Sequence, residues 1–278
     1  MKHLFLLFCF LVFSNELIGQ QDWLPSPLEM GDRISMYSEE LKEVREVNIY
    51  LPEGYRDSLH LNYPVIYLLD GSMNEDFLHV AGLMQFLNMM GMHEPSIVIG
   101  IANIDRRRDF TYPTTIEADK KDFPTAGGSA KFISFIEKDL KPFMQGYYRM
   151  NGEETLIGQS LGGLLATDIL INHPTLFDNY IIVSPSLWWD NESLLIGAEE
   201  KLKAIANGER HISIIVGKGE HKIMRRDAKR LYRLVKKVKQ KEWDVSFTLM
   251  RKEDHATILH NALYRVFAGS WGREFVGS

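Results

Sequence analysis

The chain has 278 residues, of which 45% are hydrophobic, 11% aromatic and 25% charged, an ordinary globular composition that excludes disordered, collagen-like and disulfide-scaffold classes. A formal net charge of −5 supplies no basic excess for neutralising phosphates, which argues against a dedicated nucleic-acid binder. The single cysteine, Cys9, is placed by its surroundings.

Cys9 lies in the ten-residue apolar run Leu4–Phe13, preceded by Lys2 and His3 and followed by a polar stretch to Gln21. A basic start, a short apolar core and a polar exit form the pattern of a secretory signal, and ten residues are too few to span about 30 Å of hydrocarbon. Residues 1–20 are therefore read as a signal peptide cleaved near Gly19 or Gln20, and 21–278 as one domain of a periplasmic or secreted protein. The mature chain would contain no cysteine, so covalent catalysis would need an oxygen nucleophile.

Two strands, Arg33–Tyr37 and Glu43–Leu51, come first, the second closed by Pro52, Glu53 and Gly54. Pro64–Asp70 and Ser96–Ala102 are nearly continuous apolar runs, as strands buried on both faces should be, and Phe77–Met90 reads as a helix between them. Met84, Met89, Met90 and Met92 read as core fillers, with an acyl-pocket lining as the competing reading. Lys131–Phe143 has helical spacing, and strand and helix pairs follow: Glu154–Gln159 with Leu161–Asn172, Tyr180–Ser184 with Asn191–Ile205, and His211–Val216 with Lys222–Lys239. A last strand, Val245–Arg251, precedes a helix from about Ala256 to Phe267. Strands joined by helical crossovers predict an α/β fold: a three-layer sandwich with a mainly parallel sheet and reactive loops at the carboxyl ends of its strands.

Gly158-Gln159-Ser160-Leu161-Gly162 is the chain's one G-x-S-x-G, and it stands between a strand and a helix. Such a tight turn strains the serine backbone and lifts its Oγ above the sheet, and flanking glycines relieve the crowding. A serine hydroxyl needs a base, and in this architecture the partners follow in the order serine, acid, histidine, on loops after later strands. His255 directly follows the last strand and is the candidate base. Glu220, in the loop after His211–Val216, is the candidate acid; Asp227 falls on a helix, and Asp254 is too close in sequence to turn back onto the imidazole. An unassisted Ser-His dyad is the competing reading. The amide of Leu161 would supply one oxyanion donor and that of Gly71 or Ser72 the other.

PVIYLLDG, SIVIGIANIDRRRDFTYP, LIGQSLGGLLA and FDNYIIVSPSLWWD together resemble the esterase-D-like family of the α/β-hydrolase superfamily, in its siderophore-esterase branch, from about Arg33 to the last helix. The resemblance implies Ser160 as nucleophile, His255 as base and a carboxylate at or near Glu220. It also implies a small-molecule ester substrate, with siderophore trilactones, acetylated or feruloylated sugars and acyl transfer all represented among relatives. The family acid is more often aspartate, so Glu220 is a departure. Trp188 and Trp189 are candidates for an aromatic wall against substrate, with core packing of at least one as the competing reading. Arg106, heading the run Arg106–Arg107–Arg108, is a candidate for an anionic substrate group or else a brace for its loop. The basic stretch Lys222–Lys241 reads as the solvated face of an amphipathic helix. No zincin spacing, G-x-G-x-x-G or P-loop occurs, so the expectation is no metal, no cofactor, no nucleic acid and no stable membrane insertion, with oligomeric state open. The expected function is a serine-dependent ester hydrolase; a non-catalytic siderophore- or glycan-binding protein is the alternative from another class.

Overall fold

The computed structural model describes residue 26, residues 28–205 and residues 208–269; the leader read over residues 1–20 lies outside them. Eight strands form one sheet in the order β1-β2-β4-β3-β5-β6-β7-β8. They are β1 (Gly31–Ser38), β2 (Glu43–Tyr50), β3 (Tyr63–Leu68), β4 (Ile97–Ile101), β5 (Met150–Gln159), β6 (Asn179–Val183), β7 (Arg210–Gly217) and β8 (Trp243–Met250). β1 and β2 pair antiparallel, and β2 meets β4 antiparallel. From β4 to β8 every pairing is parallel.

The apolar runs of the central strands alternate between two cores. Val65, Tyr67, Leu156, Tyr180, Ile182, Ile212 and Ile214 face the first, with Phe132, Phe135, Leu164, Leu231 and Val235 from helices on that side. Ile66, Leu68, Ile157, Ile181, Val183 and Ile215 face the second, under Phe77, Val80, Met84, Leu259 and Leu263. Both faces being covered is why these strands read as continuous rather than alternating. The helices behind these contacts are α1 (Phe77–Met89) and α9 (Ile258–Phe267) on one side. On the other lie α4 (Ser129–Phe135) with α5 (Lys141–Tyr147), α6 (Leu161–Asn172) and α8 (Lys222–Val238). The result is a three-layer α/β sandwich of the α/β-hydrolase type.

Several expectations are corrected. The helix read over Asn191–Ile205 is broken into a turn at Trp189–Leu195 and the short α7 (Ala198–Lys203), because Asp190, Asn191, Glu192 and Gly197 all have positive φ. Two short polar helices, α2 (Arg106–Phe110) and α3 (Glu117–Asp122), were not anticipated. Of the four methionines read as core, only Met84 is buried; Met89, Met90 and Met92 are exposed.

Candidate active site

Ser160 stands at the junction of β5 and α6 with φ 59° and ψ −118°, a strained conformation for a residue with a side chain. The neighbouring backbone explains the glycines: a Cβ on Gly158 would lie 2.3 Å from the Gly162 carbonyl oxygen, and one on Gly163 2.9 Å from Pro185 Cα. Ser160 Oγ lies 3.3 Å from Ser186 Oγ, on the loop after β6, and the Ser186 amide donates to the Ser160 carbonyl at 2.9 Å.

His255, after β8, and Glu220, after β7, come together across 35 residues. Nδ1 of His255 is 3.0 Å from both Glu220 carboxylate oxygens. The Glu220 side chain is only 2% exposed while the imidazole is 46% exposed, so the acid is held in the protein and the base faces the cleft. With Nδ1 turned to the carboxylate, Nε2 is the nitrogen left for proton transfer. Gln159, next to Ser160, donates its side-chain amide to the His255 carbonyl at 2.6 Å and ties the two loops together. Asp254 instead accepts from the Ala256 and Thr257 amides at 2.9 and 3.2 Å, closing a local turn away from the ring. Asp227 is buried on α8 beside Arg226.

The candidate oxyanion donors separate. Leu161 opens α6, where the first amides have no intrahelical acceptor. The Gly71 amide is already engaged by the Ile101 carbonyl at 2.9 Å, which leaves Ser72, whose amide meets only a Glu75 carboxylate oxygen at 3.3 Å. Glycine is needed at 71 for close packing, since a Cβ there would fall 2.3 Å from Gly100 Cα; the turn itself is made by Asp70, at φ 58°.

A cavity of about 350 Å³ beside Ser160 is lined by Asp70, Glu75, Asp76, Arg106, Gln159, His255 and Ala256. Arg106 reaches it as half of an ion pair: Nε and Nη2 donate to the two Asp70 oxygens at 2.6 and 2.9 Å, and Nη2 also to the Gln159 carbonyl at 3.2 Å. The brace reading of Arg106 therefore describes its contacts, with Asp70 as partner. Burial, with Asp70 and Glu75 close by, pushes the Asp76 carboxyl up to about 6. His79 beside it, 3.8 Å from an Asp76 oxygen, is pushed down to about 4 by burial and by His260.

Neither tryptophan lines this cavity. Trp189 is fully buried, with its indole N–H on the Tyr112 carbonyl at 2.9 Å and its ring 5.4 Å from that of Phe123, which makes it a core residue. Trp188 is partly buried against Phe123 and Trp189. Asp70, Glu75, Asp76 and Ser186 escaped the sequence reading; their positions after β3 and β6, strands flanking β5, were the available signal. Among the described residues no cluster of three or more His, Cys, Asp or Glu could hold a metal ion, and no helix is long and apolar enough to cross a membrane.

A family model described as "Putative esterase" matches residues 38–263. Ferri-bacillibactin esterase BesA of Bacillus subtilis is 28% identical over 254 residues, covering 82% of this chain and 86% of that protein. A solved BES protein from Bacillus cereus superposes with a TM-score of 0.78 at 28% identity, covering 88% of this chain and 97% of that one. An IroE-like serine hydrolase from Shewanella oneidensis gives 0.74 at 30% identity, over 85% and 78% of the two chains.

Proposed function

Since the chain belongs to this esterase family and is a carboxylic ester hydrolase, we propose that it is an exported serine esterase that opens siderophore ester bonds through Ser160, His255 and Glu220. The observation that carries the assignment is the buried Glu220 carboxylate 3.0 Å from Nδ1 of His255, on the same sheet edge as the strained Ser160. In the resting arrangement Ser160 Oγ rests against Ser186. A rotation about its χ1 turns it toward Nε2, and His255 takes the proton as Oγ attacks the ester carbonyl. The amides of Leu161 and Ser72 hold the oxyanion, and His255 then protonates the leaving alcohol and activates water against the acyl-enzyme. Glu220 holds the imidazole in the required tautomer and balances its transient charge.

The siderophore part of the reading is supported by BesA, named a ferri-bacillibactin esterase, at 28% identity over most of both chains. Export is supported by the apolar run Leu4–Phe13 behind Lys2. The test is a turnover panel of a catecholate trilactone, a feruloyl sugar and p-nitrophenyl butyrate, run with the native chain and Ser160→Ala. Trilactone turnover abolished by the substitution is the expected result. Turnover of the feruloyl sugar alone would move the chain to carbohydrate esterases, and failure of a serine-directed phosphonate to label Ser160 would make it a binding protein.

A further inference from the structure

β8 closes the sheet order, so one of its two edges meets none of the described strands. Its ladder to β7 decides which backbone groups that edge presents. The Glu242 carbonyl accepts from the Arg210 amide and the Met250 carbonyl from the Lys218 amide, so the even-numbered residues of β8 turn their N–H and C=O toward β7. The odd-numbered residues turn theirs outward. At Trp243 both are taken, the N–H by the Gln240 carbonyl at 3.2 Å and the C=O by the Lys239 ammonium at 3.1 Å. Val245, Phe247 and Leu249 are left presenting N–H and C=O to the open edge.

Open edges are usually blunted by charge, proline or a bulge. β1, at the opposite edge, carries Asp32 and Arg33, paired with Arg56 and Glu46. From Val245 to Met250, by contrast, β8 has no charged residue, proline or glycine, and its register with β7 is unbroken. Lys241 and Glu242 precede the strand, and Lys252 and Glu253 follow it. Glu253 is half-buried and the other three are exposed, and among the described residues none of these four side chains is ion-paired.

We propose that this edge is the surface on which two copies of the chain associate, through an antiparallel β8–β8 pairing with Phe247 of both copies at the twofold axis. In that register Phe247 faces its own counterpart and Val245 faces Leu249, so all three outward residues of each copy bond, about six hydrogen bonds in all. Sliding one way sets Leu249 opposite Trp243, whose backbone groups are occupied; sliding the other sets Val245 opposite Arg251, in the turn that ends the strand. The charges select the same register independently. Glu242 of one copy falls opposite Lys252 of the other, and Lys241 opposite Glu253, each pair occurring twice. The slid registers instead oppose Lys241 to Arg251 or Glu242 to Asp254, and like charges directly opposite are destabilising. A foreign strand could share the backbone bonds but not this self-matching order of charges, which is why the occupant is a second copy. The inference goes beyond the esterase reading and does not depend on the substrate.

Sedimentation velocity of the full chain over a concentration series tests this; the expected result is a reversible monomer–dimer equilibrium. Leu249→Pro removes an outward N–H and none that β7 uses, and should abolish the dimer while leaving circular dichroism unchanged. Lys252→Glu places like charges opposite Glu242 at both ends of the ladder and should weaken dimerisation about tenfold. Adding Glu242→Lys restores opposite charges and should recover the native association; both positions are exposed, so this pair of variants keeps the test open if the proline variant fails to fold. A monomer at every concentration, or a dimer that neither Leu249→Pro nor Lys252→Glu weakens, would overturn the proposal. A loss in Lys252→Glu that Glu242→Lys does not repair would overturn the register.

Discussion

Replacing Glu220 by glutamine removes one charge and exchanges one of the two acceptor oxygens beneath the imidazole for an N–H donor while keeping the shape of the side chain. In the native protein both oxygens lie 3.0 Å from Nδ1, and the side chain is 2% exposed, so water cannot take their place. When His255 accepts the serine proton, opposite unit charges about 4 Å apart at an effective dielectric of about 20 are worth about 4 kcal/mol, or roughly 10³ in rate. The half-exposed ring reduces that figure through solvent screening. The glutamine amide acts in the other direction: by donating to Nδ1 it drives the proton to Nε2, the tautomer that cannot serve as base. The expected loss in kcat is therefore about 10³ to 10⁴. The assay is steady-state hydrolysis of p-nitrophenyl butyrate, with thermal unfolding to show that the variant folds. Glu220→Asp keeps the charge but withdraws it by roughly one methylene, and should fall between the two. A loss below tenfold in a folded Glu220→Gln variant would refute the reasoning and leave Ser160 and His255 as an unassisted dyad.

Gly158→Ala drives a Cβ to 2.3 Å from the Gly162 carbonyl oxygen, so the turn must open; ester turnover should fall at least about 10²-fold and the melting temperature should drop, at a cost of about 1–3 kcal/mol. Asp109→Ala leaves Arg45, fully buried and 2.8 Å from Asp109, without its buried partner. Urea unfolding should show a loss near 3 kcal/mol, the lower end of the range of about 3–5 kcal/mol for such breaks, because Glu43 and the Ala102 carbonyl still bind Arg45. Asp76 has its carboxyl raised from 3.8 to about 6, so the folded state holds the proton more tightly than the unfolded chain, and stability is lost as pH rises through that window. Asp76→Asn should therefore gain roughly 1–2 kcal/mol relative to the native protein between pH 4 and pH 8, after a discount for a side chain 31% exposed; urea unfolding at the two pH values giving no difference would count against the shift.

The strands and the long helices were legible because a parallel sheet covered on both faces needs uninterrupted apolar runs, and such runs are local in sequence. Leu161–Asn172 is bounded as read, since its start is the serine turn and its end is His173-Pro174. The short helices α2 and α3 were not legible: five and six residues of mostly polar sequence carry no periodicity to detect. The continuous helix read over 191–205 failed because Asn191 and Glu192, with Asp190 just before them, adopt left-handed backbone that no helical periodicity signals.

The same division runs through the site. The proposed triad of Ser160, Glu220 and His255 was readable from the serine motif and chain order, because each residue lies just after the carboxyl end of a strand and a parallel sheet gathers those ends along one edge. Which neighbours they meet there depended on the strand order β4-β3-β5, which sets Arg106 against Asp70 and the Gln159 carbonyl, and on which of two adjacent tryptophans turned inward. The arginine run in the sequence left a substrate contact and a loop brace equally open; folding paired Arg106 with Asp70 and Arg108 with Glu43 and Asp109, and left carboxylates facing the cavity. The chemistry follows from residue types at fixed places along the chain. The sign of the charge that greets a substrate is a sum over loops distant in sequence, and only the tertiary structure performs it.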